Sequence, residues 1–74
     1  MRDEYFKNKW LEDIEVYERH KNLCRQEVDR IKHDFERADR KIPLSYEGKL
    51  YDLREAIKEY DRDIEKLKQR ISEL

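Results

Sequence analysis

Glycine and proline are almost missing from this 74-residue chain, with one of each, Gly48 and Pro43. Neither occurs between Arg2 and Arg40, so nothing in that stretch interrupts a helix. Cysteine is equally scarce. Cys24 stands alone and cannot form an internal disulfide, which points to an intracellular, reducing compartment, cytoplasmic or nuclear. Long apolar runs are absent: the longest uncharged stretch is Ile42 to Tyr46, far short of the roughly 20 apolar residues of a membrane span. No charged-then-apolar leader opens the chain, so no secretory signal is expected. Nor is there an excess of either charge. Eighteen basic residues nearly cancel 19 acidic ones and are interspersed with them, so no membrane and no nucleic acid is expected as partner.

What is present is charge and periodicity. Half the residues are charged and 36% are hydrophobic, which excludes a large globular core and leaves room for one small domain over 1–74. A disordered chain of this polarity usually carries a large net charge and few aromatics. Here the charges balance, and five Tyr, two Phe and one Trp are present. Between Leu50 and Leu74 the apolar residues are Leu50, Leu53, Ile57, Tyr60, Ile64, Leu67, Ile71 and Leu74. Their steps of three and four are the heptad signature of a helix with one narrow buried seam. The first half repeats the pattern with Ile14, Val28, Phe35 and Ile42 at a and Trp10, Tyr17, Cys24, Ile31 and Ala38 at d. Lys21 stands at an a position where an apolar residue belongs, and a polar a residue commonly specifies register or oligomer state.

Pro43 marks the break. The expected elements are a helix over about 3–40, a turn over about 41–45 with Ser45 as the cap, and a helix over about 46–73. A turn this short returns the second helix antiparallel to the first. The fold class is therefore all-α, an antiparallel two-helix coiled-coil hairpin that could dimerise into a longer or four-helix assembly. A turn centred on Leu44 predicts that Leu50 faces Ala38, Leu53 faces Phe35, Tyr60 faces Val28 and Leu74 faces Ile14. Lys21 then lies against Leu67. Flanking charges give mixed signals in that register, because Glu27 comes level with Asp63 and Lys32 with Arg54.

The same register leaves Tyr5, Phe6, Trp10 and Leu11 as an overhang beyond the end of the second helix. Tyr5, Val16 and Leu23 form a weaker stripe away from the seam. These six residues are the candidate interface, with Lys21 as the specificity position in the seam. Catalytic and metal chemistry is not expected. His20 and Cys24 share a helix face but supply two of the four ligands a structural zinc site needs, and Cys24 fits its seam position as a small hydrophobe. Carboxylates are plentiful, but a two-helix hairpin has no concave pocket to perturb them. No enzyme and no cofactor is expected. The reading is a structural or scaffolding module acting through protein–protein association, with itself as homo-oligomer or with another protein. The alternative is a recognition finger presenting one hairpin face to a small GTPase, which rests on architecture alone.

Overall fold

Uninterrupted heptads produce two long helices, α1 over Arg2–Arg37 and α2 over Leu44–Ser72, in a computed structural model that describes residues 2–74. Asp3 and Glu4 lie in the first turn of α1 and Arg37 in its last, each at the favourable end of the helix dipole. The two helices pack antiparallel along their length as an all-α helical hairpin. The molecule measures 57 × 16 × 14 Å, and a helix of 36 residues at about 1.5 Å each spans that long axis by itself.

Both helix ends facing the turn differ from expectation. α1 stops at Arg37 rather than near residue 40, because Asp39 adopts a left-handed backbone with φ of 50°. The Arg40 N–H donates to the Phe35 carbonyl at 3.0 Å, and the Asp39 N–H donates to that of Glu36 at 3.1 Å. This bond pair is the Schellman closure, with Asp39 in the place usually held by glycine. Aspartate enters the left-handed region more readily than most side chains, and that tolerance lets α1 close here. α2 starts at Leu44, before the expected cap. Pro43, with φ −62° and ψ 154°, occupies the cap position, and its carbonyl accepts from the N–H groups of Tyr46 and Glu47, both at 3.0 Å. Ser45 therefore lies inside the first turn and makes no cap bond.

These shifts move the pairing register by one heptad. Leu50 clusters with Val28 and Ile31, with Phe35, Ile42 and Leu53 packed around them. Ile14 clusters with Ile64 and Leu67, with Trp10, Tyr17 and Ile71 around them. The Phe35 and Tyr46 rings meet edge to face at 5.1 Å. A single mirror point between Arg40 and Lys41 pairs Trp10 with Ile71, Ile14 with Leu67, Tyr17 with Ile64, Val28 with Leu53, Ile31 with Leu50 and Phe35 with Tyr46. The expected mirror at Leu44 is thus corrected. Ala38, expected opposite Leu50, lies exposed beyond the end of α1.

Gly48 sits within α2 with nothing within 4 Å of where a Cβ would project, and its φ is not positive. Nothing in the fold requires glycine there. Gly48→Ala is expected to stabilise the hairpin by about 1 kcal/mol through helix propensity. A thermal melt reads this directly, and a fall in Tm would show that the site is crowded.

Candidate functional site

The core is divided, and the division falls at Lys21. The two buried clusters, around Ile14 and around Ile31, are separated by a stretch in which Lys21, Cys24, Ile57 and Tyr60 are all only half-buried. The one-heptad register places Lys21 level with Tyr60 rather than Leu67. Its ammonium reaches across to the other helix, where Nζ donates to Asp61 Oδ1 at 2.8 Å. The Lys21 side chain keeps only 16% exposure, against 49% for Asp61, so the stem lies in the seam while the charge meets solvent at its edge. Tyr60 is flanked by the Tyr17 ring at 6.0 Å and the His20 ring at 5.8 Å.

A second ion pair crosses the helices nearer the turn. Glu27 Oε1 lies 2.6 Å from Arg30 Nη2 on its own helix and 3.4 Å from Lys49 Nζ on α2. The expected register would have set Glu27 beside Asp63 instead, and Lys21 between Lys66 and Lys68. Apolar layers form in either register, so the flanking charges favour the observed one. Each such exposed pair is individually weak, so the charges carry little weight in the sequence alone.

The carboxyls of both pairs ionise more readily than usual. The hydrogen bond and charge of Arg30, with Lys49 behind them, hold Glu27 below the ordinary glutamate range. The hydrogen bond from Lys21 lowers Asp61, aided by the nearby charges of Lys21 and Arg25. A carboxyl lowered on folding adds stability at pH above its unfolded value and loses it as pH falls through the folded value. The hairpin is therefore expected to lose stability on acidification through and below the normal carboxylate range. Asp61→Asn should flatten part of that dependence in melts recorded from neutral to strongly acidic pH. An unchanged slope would place Asp61 free of Lys21 in solution.

The candidate interface residues separate into groups. Trp10 is half-buried against the Ile14 cluster, so the first paired layer is Trp10 with Ile71 and the overhang is shorter than the expected register implied. Phe6 stacks on Trp10 at 5.7 Å and continues the seam past the end of α2, 42% exposed. Tyr5 packs edge to face on Phe6 at 5.5 Å and is 64% exposed. Leu11 is exposed on the opposite flank of α1. Tyr5, Val16 and Leu23 fall within about 20° of one line on a helix of 3.6 residues per turn, roughly 120° round from the seam, and all three are exposed. Sequence reading did not single out Leu44 and Tyr51, which lie seven residues apart on the outer side of α2, 85% and 64% exposed. The signal was their shared heptad position outside the seam.

Among the described residues no group of three or more His, Cys, Asp or Glu side chains converges as a metal site, and no helix is long and apolar enough to cross a membrane. His20 is exposed and Cys24 half-buried. The depression beside Tyr17, lined by Asp63, Lys66, Leu67 and Arg70, is open to solvent. No protein-family model, no curated protein and no solved structure matches this chain.

Proposed function

We propose that this hairpin is a structural association module that joins to a second copy of itself through the exposed apolar line of α1, and that it works in the cytoplasm or nucleus. The observation that supports this reading is the alignment of Tyr5, Val16 and Leu23 along one side of a long helix, all three exposed. Isolated surface apolars are ordinary, but an aligned row of large ones is a surface suited to another helix. A second copy is the simplest partner, because a two-fold contact makes one such row complementary to its equal. The thin core points the same way: among the described residues no side chain is completely buried within one hairpin. The lone half-buried thiol of Cys24 supports a reducing location.

Sedimentation equilibrium tests the reading. The wild-type chain is expected to associate with rising concentration. Changing Tyr5, Val16 and Leu23 together to Ser is expected to leave a helical monomer, since all three are solvent-facing. A wild-type chain that stays monomeric throughout, or a triple variant that associates equally well, would overturn the proposal.

A further inference from the structure

The two seams fit together in more than one way, and the differences between the fits are few. In the observed register eight layers run from Trp10 with Ile71 to Phe35 with Tyr46. Sliding α2 by one heptad toward the turn also gives eight, from Ile14 with Leu74 to Ala38 with Leu50. Every a residue meets a d residue in both. Besides the ring contacts of Tyr46 with Phe35 and of Tyr60 with Tyr17 and His20, three polar and backbone features distinguish the two. The first is the Lys21–Asp61 pair, which the slide exchanges for Lys21 beside Leu67, between Lys66 and Lys68. The second is the contact of Glu27 with Lys49; the slide puts Ala56 in the place of Lys49 and Asp63 in the place of Ala56, so Glu27 loses a cation and gains an acidic neighbour. The third is the left-handed backbone at Asp39, which must become helical for α1 to reach Ala38 and beyond. Asp39 is exposed, and each ion pair has at least one half-exposed member, Asp61 at 49% and Lys49 at 52%. Proximity of such charges and one disfavoured backbone angle set a small preference rather than a large one.

We propose that the hairpin is a two-register device, in which α2 slides by one heptad, about 10 Å, along α1, with Asp39 as the hinge and the Lys21–Asp61 and Glu27–Lys49 pairs as the latch. The slide withdraws Ile71 from Trp10 and brings Leu74 level with Ile14. It thereby uncovers Trp10, which extends the already exposed aromatic end of Tyr5 and Phe6, and shortens the connection between the helices. The device stands on the packing of one hairpin and does not rest on self-association.

Paired cysteine reporters in a Cys24→Ser background test it at protein concentrations low enough for intrachain chemistry. Phe35→Cys with Tyr46→Cys, whose rings meet at 5.1 Å, reports the observed register, and Phe35→Cys with Leu53→Cys reports the slid one; none of the three residues is fully buried. Ala38→Cys with Ile57→Cys fits neither and sets the background. On brief oxidation the first pair should close nearly completely. The second should close in a minor fraction above background, in keeping with a second state populated at about 0.1–10%. Glu27→Lys with Asp39→Ala repels Lys49, attracts Asp63 and favours a continuous α1, and should raise closure of the second pair about tenfold. Asp39→Gly, which favours the left-handed turn, should lower it. Circular dichroism checks that each variant remains helical, and if the double variant does not, Asp39→Ala alone is read for the same rise. Closure of the Phe35–Leu53 reporter at the background rate in every folded variant would overturn the proposal.

Discussion

Leu50→Ala is expected to leave the chain largely unfolded at ambient temperature. Leu50 is 4% exposed and is the α2 member of the cluster with Val28 and Ile31. Truncating a buried leucine to alanine costs about 2–5 kcal/mol, through lost transfer energy and an unfilled cavity. A core in a chain of this size supplies roughly 3–5 kcal/mol in all. One truncation therefore consumes most of the stability, and the hairpin has no third element to collapse into the gap. Tyr51→Ala, the next residue along, removes a larger side chain that is 64% exposed and should change stability by less than about 0.5 kcal/mol. Urea titration followed by circular dichroism measures both. A Leu50→Ala protein with a midpoint near that of wild type would mean that the Ile31 cluster is not what closes the hairpin.

Lys21→Leu carries the largest expected gain. The lysine separates two apolar clusters, and a leucine there would join them through the layer of Tyr60 and Cys24. Burying one leucine side chain contributes about 1.5–3 kcal/mol. The ion pair lost is small by comparison, since Asp61 is half exposed and returns to water without being stranded. In a domain of this length each kcal/mol moves Tm by about 4–8 °C, so a rise on the order of 10 °C is expected. The same substitution removes the Lys21–Asp61 half of the latch and makes the slid register, with leucine against Leu67, equally apolar. Higher stability together with greater closure of the Phe35–Leu53 reporter is therefore the expected pair of results. A lower Tm would show that the lysine stem and its bond to Asp61 contribute more than a leucine could.

The two helices and their seams were legible in residue identity alone. Steps of three and four bring apolar residues to one side of a helix whatever the partner, so Ile14, Val28, Ile31, Leu50, Ile64 and Leu67 were readable as core before any fold was known. Pro43 located the break for an equally local reason. The exposure of Tyr5, Val16 and Leu23 followed from their angle to the seam. The left-handed turn at Asp39 was not legible, because aspartate tolerates that conformation without requiring it. The cap at Pro43 was missed because Ser45 has the better capping side chain, while proline at 43 already holds the backbone angle that a cap needs.

Local sequence thus determined which residues would be helical and which side of each helix would be buried, because propensity and periodicity act within one helix. Only the tertiary structure decided the register, and with it the neighbours of Lys21, Trp10 and Ala38. A heptad pattern matches itself at every shift of seven residues, so apolar burial alone cannot choose between them. The choice passed to contacts between residues far apart in the chain, Lys21 with Asp61 and Glu27 with Lys49, and to one backbone angle at Asp39.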